Sequence, residues 1–164
     1  MFVFGGAKQT GALFCGCSAG TYYLDADGDG RGDAANAICG PASSYVTQAN
    51  DCSDSSSGSW SPPGEVRDLR FTDATTFAWT APLDAGGTGP LEYDVLRSTY
   101  TTAPPYAWSC PAWNVAGLSA SDAELPPANR AFYYLVRATN ACPGGLGPLG
   151  SFTDGRPIVA KTCP

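Results

Sequence analysis

From about residue 62 onward the chain reads as short runs of β-branched and aromatic residues broken by Gly and Pro. Such runs favour strands, and the breakers between them favour turns. The pattern predicts strands at Val66–Phe71, Thr75–Thr80, Leu91–Ser98 and Ala131–Ala138, a weaker one near Asn114–Leu118, and a last one within Phe152–Ala160. Nowhere do apolar residues recur at helical spacing over the length of a helix. Roughly 100 residues with several short strands predict an all-β sandwich. Ahead of it, Thr21-Tyr22-Tyr23-Leu24 is strand-like and the stretch that follows is rich in loop formers. Three units are therefore expected: an apolar, Gly-rich arm (1–20), a loop-rich module (21–61) and the sandwich (62–164).

Met1, Phe2, Val3 and Phe4 form an apolar run at the head of the arm. It lacks the basic segment and the apolar length of a secretory signal, so the signal is expected to have been removed already or the chain to belong to a longer precursor. Three uses of the run stay open: an edge strand of the chain's own sandwich, residual signal sequence, or a donor strand that completes a neighbour's sheet. Gly5-Gly6 and Gly11 would give such a donor its flexible connection.

Composition narrows the chemistry. The 164 residues include no His, which excludes Ser-His-Asp and Cys-His catalysis and every His-ligated metal site. Charged residues make up 15% against an average near 25%, and a net charge of −6 excludes a broad basic face for nucleic acid. No apolar run approaches the roughly 18 residues of a transmembrane helix. Seven Cys without a CxxC pair point to disulfides and an oxidising compartment, and the odd number leaves at least one thiol free or bonded to another molecule. Cys15 and Cys17 are too close for an easy mutual bridge. One of them is expected to bond to Cys110, with the other free or intermolecular.

The negative charge is concentrated. Asp25, Asp27, Asp29, Asp33, Asp51 and Asp54 face only Arg31 within residues 21–58. Alternating Asp residues from Asp25 to Asp29 would repel one another without a cation. Calcium, a hard ion taking six to eight oxygens, suits them. Gly30 would provide the sharp turn, Arg31 its backbone carbonyl with the side chain pointing away, and Asp33 a direct or water-mediated ligand. At the twelfth position, where an EF-hand needs a bidentate Glu, stands Asn36, and no helical pattern flanks the loop. Asp51 or Asp54 is expected to supply the missing carboxylate, brought close by a Cys39–Cys52 disulfide that closes a loop of about 14 residues.

Tyr22-Tyr23-Leu24-Asp25-Ala26-Asp27-Gly28-Asp29-Gly30, then Cys39, Gly40-Pro41, Tyr45-Val46, Asp51-Cys52-Ser53-Asp54 and Pro62 resembles the metal-binding repeat of bacterial secreted and surface proteins. It is similar to the calcium repeats of thrombospondin type 3. Ser53 stands where that repeat usually has Asp. Further on, Pro62-Pro63-Gly64-Glu65-Val66, Trp79-Thr80-Ala81-Pro82, Tyr93-Asp94-Val95-Leu96-Arg97 and Phe132-Tyr133-Tyr134-Leu135-Val136-Arg137-Ala138 resemble strands A, B, C and F of a fibronectin type III domain. This resemblance implies an immunoglobulin-like sandwich with Trp79, Tyr93, Val95, Tyr134, Val136 and Ala138 facing the core, which the alternation supports. The same parity turns Leu96, Tyr133 and Leu135 outward, either under loops of the same chain or as a contact face for the calcium module or another subunit. Phe132 takes the place of the tyrosine-corner Tyr and cannot donate its hydrogen bond, so packing or a disulfide must hold that corner. A Cys142–Cys163 bridge would tie the last two strands together.

Two Lys, three Glu and no His leave no nucleophile with an evident base, so no catalytic residue is assigned. The expectation is a non-enzymatic, extracellular or cell-surface bacterial protein, stabilised by Ca2+ and disulfides. It is expected to self-associate head-to-tail into a filament through its arm, or to act as a monomeric cell-adhesion or ligand-binding module.

Overall fold

The computed structural model describes residues 19–99 and 107–164. These are all-β, with no helix among the described residues and so none long and apolar enough to cross a membrane. Among the described residues nine strands form three small antiparallel sheets. The first sheet joins β1 (Thr21–Leu24), β2 (Asp33–Cys39) and β3 (Tyr45–Val46) in the order β2-β1-β3. The second joins β4 (Arg67–Phe71), β5 (Thr76–Thr80) and β8 (Ser119–Ser121) in the order β4-β5-β8. The third joins β6 (Glu92–Thr99), β7 (Ser109–Val115) and β9 (Phe132–Thr139) in the order β7-β6-β9.

The second and third sheets share one core of Phe77, Trp79, Tyr93, Val95, Val136 and Ala138, with Tyr134 packed against it. All six residues expected inside are there. Period-2 alternation on β5, β6 and β9 puts every second side chain between the sheets. The arrangement is compatible with a β-sandwich.

Two strand predictions are corrected. Asn114–Leu118 is mostly the turn between β7 and β8, where Asn114 adopts φ 52°. Phe152–Ala160 holds no strand: Gly150 (φ 91°) and Gly155 (φ 83°) bend it into a turn closed by a single bridge between Ser151 and Pro157. β2 and β3 were not anticipated, since DAANAIC carries neither alternation nor β-branched density.

The outward parity of β6 does not mean exposure. Leu96 is 0% exposed and Leu135 is half-buried, while Tyr133 stays 38% exposed with Trp108 against its ring at 5.8 Å. The same face buries Asp94, Ser98 and Arg137. The C-terminal segment is anchored at both edges of this sheet. Gly147 N–H donates to Ala138 O on β9, and Cys163 is bonded to Cys110 on β7. The corner at Phe132 is held by packing: the Arg97 guanidinium lies 4.3 Å over its ring, and Tyr134 meets it edge-on.

Two disulfides join described residues, Cys52–Cys142 and Cys110–Cys163, with Cα atoms 5.5 and 5.8 Å apart. The expected Cys39–Cys52, Cys142–Cys163 and Cys110–arm pairings are thereby corrected. Cys39 is itself disulfide-bonded, at the end of β2. Cys52 has been carried onto the sandwich. Its N–H donates to Trp60 O, the N–H groups of Trp60 and Ser61 donate to Gly86 O, and Asn140 Nδ2 donates to Ser61 O at 2.7 Å. Gly86 is indispensable at this seam, because a Cβ there would lie 1.9 Å from Ser61 O. The boundary expected at residue 61 is thus crossed by hydrogen bonds and one covalent bond. Met1, Phe2, Val3, Phe4 and Cys17 lie outside the described residues.

Candidate metal centre

The loop between β1 and β2 holds Asp25, Asp27 and Asp29, each offering a carboxylate oxygen within 4.8 Å of the others. Backbone geometry makes this convergence. Asp25 Oδ1 accepts from the N–H groups of Gly28 (2.7 Å) and Asp29 (3.2 Å), and Oδ2 accepts from Gly30 N–H (3.0 Å). Asp27 Oδ1 and Asp29 Oδ1 accept from Asp29 N–H and Arg31 N–H. The loop therefore winds around its own carboxylates, as Asp in turns does. Gly30 takes φ 88°, the left-handed conformation expected of it.

Asp51 is delivered from a distant stretch. Gly32 N–H donates to Gln48 O and Asp51 N–H donates to Gly32 O, so the chain before Cys52 runs beside the end of the loop. Asp51 Oδ1 accepts from Ser53 N–H. Burial, followed by the charges of Asp29, Asp27 and Asp54, pushes the Asp51 carboxyl above the ordinary carboxylate range. Asp54 Oδ1 accepts from Ala26 N–H at 2.7 Å. Asp51 thus meets the loop segment through its backbone and Asp54 through Ala26, without the bridge expected to bring them, and neither belongs to the Asp25-Asp27-Asp29 cluster.

Asp33 stands apart. Its oxygens accept from Ala35 N–H (2.8 Å) and Asn36 Nδ2 (2.5 Å) at the start of β2, and it is not part of the clustered group. The Arg31 side chain turns away as expected, and its guanidinium lies 4.3 Å over the Trp60 ring. Trp60 was not anticipated. A lone Trp in a Ser-rich loop gives little sign of its role in sequence.

Asp27 Oδ2, Asp29 Oδ2 and Asp51 Oδ2 are buried with no hydrogen-bond partner, and they are three of the four such side-chain atoms among the described residues. Buried polar atoms are normally paired, and a buried unpaired anion is costly. Three orphaned acidic oxygens beside one loop are what a bound cation would satisfy. The donor set is all oxygen, which suits a hard divalent ion and excludes a thiolate- or imidazole-bound one. The Asp25-Asp27-Asp29 cluster could hold a metal ion.

A second polar group lies in the sandwich. Arg97 pairs with Asp122 and Glu124, both at 2.7 Å, and the Tyr134 hydroxyl donates to Asp122 Oδ2 at 3.0 Å. Burial alone would raise the Asp122 carboxyl, but Glu124 N–H, the Tyr134 hydroxyl and Arg97 together hold it below its ordinary value. Burial and then the Asp122 carboxylate push the Tyr134 phenol up to about 12. Every charge here has its partner, so the network is structural.

No known family matches the chain, and no curated protein resembles it.

Proposed function

We propose that the chain is a non-enzymatic, extracellular structural protein of a bacterial surface. In this reading calcium and disulfides rigidify it, and it assembles into filaments through its N-terminal arm. The observation that carries the proposal is the set of orphaned oxygens of Asp27, Asp29 and Asp51 around the Asp25-centred loop. Calcium suits them better than magnesium, which keeps more of its water and binds fewer protein groups. Asp25, Asp27, Asp29 and Asp51 would hold the ion through carboxylates, and Asp54 would brace the loop through Ala26. The bound ion supplies charge neutralisation and cross-linking of two chain segments. The disulfides support an oxidising, extracellular setting.

The test is thermal unfolding with native disulfides in millimolar calcium and in chelator. Extracellular calcium modules have dissociation constants of about 10⁻⁴–10⁻³ M, so the midpoint should rise with millimolar calcium and fall with chelator. An unchanged midpoint refutes the site.

A cleft of about 330 Å³ between the 56–59 turn, Gly89-Pro90 and Asn140 favours a second reading, a monomeric ligand-binding or adhesion module. Size-exclusion chromatography separates the two, because the module would elute as a monomer at every concentration.

A further inference from the structure

The sandwich has four outer strand edges, and three are protected against pairing. β4 carries Arg67, Asp68 and Arg70, with a register shift and φ 55° at Asp68. β8 is three residues long. β7 contains Pro111, two register shifts face it, and Cys110 ties it to the C-terminal segment. Charges, bulges, prolines, brevity and covering segments are the usual defences of a sheet edge. Among the described residues, β9 has none of them along Phe132-Tyr133-Tyr134-Leu135-Val136: it is uncharged there, and its eight-residue register with β6 is unbroken.

The direction of its free groups follows from the turn after it. Gly147 N–H donates to Ala138 O and Asn140 N–H donates to Gly145 O, so these groups point away from β6. Alternate residues of a strand share that direction. The N–H and C=O groups of Phe132, Tyr134 and Val136 therefore point the same way, and no described residue hydrogen-bonds them there. The returning chain pairs only at the Thr139–Leu146 bridge before Gly150 turns it aside. Beside the open stretch, Phe71 on the facing sheet is 57% exposed, with its ring 5.7 Å from that of Tyr134.

We infer that the open edge of β9 at Phe132–Val136 is an acceptor for one added strand, and that the strand is the N-terminal arm of a second copy of this chain. This rests on the self-association part of the proposed function and names its contact. Residues 1–18 carry one charge, Lys8, and begin with the strand-forming run Met1–Phe4. The stretch from Gly5 to Ser18 can extend over roughly 45 Å, longer than β9 itself. Self-association, as proposed above, makes the donor a neighbour's arm. The acidic module is bonded through Cys52 to Cys142, beyond the Thr139 end of β9, and the 145–147 turn closes the edge at that end. Among the described residues nothing pairs the edge at its Phe132 end. An arm entering there joins two different surfaces, a heterologous contact that propagates without closing.

The experiment compares the full chain with a variant lacking residues 1–6, by light scattering and by amide hydrogen exchange at Tyr134 and Val136. The full chain should form oligomers that grow with concentration, with these two amides protected. The deletion variant should stay folded by near-ultraviolet circular dichroism, run as a monomer, and exchange the two amides at least about tenfold faster. Adding a synthetic peptide of residues 1–11 should restore protection without restoring oligomers. Oligomers that survive the deletion would overturn the β9 contact and leave self-association standing. A full chain that stays monomeric at high concentration would overturn both, whether or not its amides are protected.

Discussion

The acidic module and the sandwich handle buried charge in opposite ways. In the sandwich each buried carboxylate meets an arginine: Asp94 pairs with Arg137 at 2.9 Å, and Asp122 with Arg97 at 2.7 Å. In the module Asp25, Asp27, Asp29 and Asp51 make no ion pair among the described residues, and its one arginine is spent on the face of Trp60. The sandwich is electrostatically closed, whereas no described residue neutralises the clustered carboxylates of the module. That difference separates a structural acid from a ligand more cleanly than acidity does, since both regions contain aspartate.

The largest expected effect tests whether the regions are independent. Replacing Cys52 and Cys142 together by Ser opens a link between residues 90 positions apart. It should cost about 4–5 kcal/mol in a chain-entropy treatment. Denaturant unfolding should show this as a lower midpoint, and calcium affinity should fall as well, because Asp51 adjoins Cys52. An unaltered affinity would mean that the loop positions Asp51 without help from the sandwich.

Asp94→Ala breaks the closed side of the comparison. It leaves Arg137, 4% exposed, without its partner. A loss of about 3–5 kcal/mol is expected from an uncompensated buried charge, with or without calcium. Asp27→Ala breaks the open side and should behave differently. In chelator it removes a repulsive charge and costs little. In ~5 mM calcium it should abolish most of a stabilisation of about 1–2 kcal/mol.

The smallest effect concerns Tyr134. Its phenol is raised from 10.0 to about 12 in the folded chain. The neutral form is therefore favoured by folding. The stability it contributes is complete below pH 10 and is lost as pH rises toward 12. Tyr134→Phe should cost about 1 kcal/mol at neutral pH and flatten the loss of stability across that alkaline window. Absorbance of phenolate during alkaline titration reads the same group directly.

The two regions were unequally legible in the sequence. Alternation on β5, β6 and β9 reports burial at each second residue, so all six core positions could be read from it. The spacing of Asp25, Asp27, Asp29 and Gly30 likewise reports a local turn. What escaped were relations between distant residues. Asp51 could be paired with the loop in principle, but the Gly32–Gln48 and Gly32–Asp51 hydrogen bonds that place it leave no periodic trace. Cysteine spacing favours short loops, whereas the observed bridges span 53 and 90 positions. Leu96 misled because parity tells which face a residue occupies and says nothing of whether a later segment covers that face. Asp94 and Arg137 could have corrected this: opposite charges at matching outward positions of neighbouring strands often signal a covered pair.

The Cys52–Cys142 bond also decides how the molecule carries mechanical load. A pull applied between β1 and Pro164 runs along the chain to Cys52, crosses the sulfur atoms to Cys142, and continues to the C-terminal residues. Because Cys163 is bonded to Cys110 on β7, the load enters the sandwich at the Cys142 end of β9 and leaves it at β7, so the C-terminal segment cannot straighten without parting those strands, whereas the acidic module lies ahead of both bridges. The acidic loop therefore occupies the stretch of the load path that no sandwich strand shares.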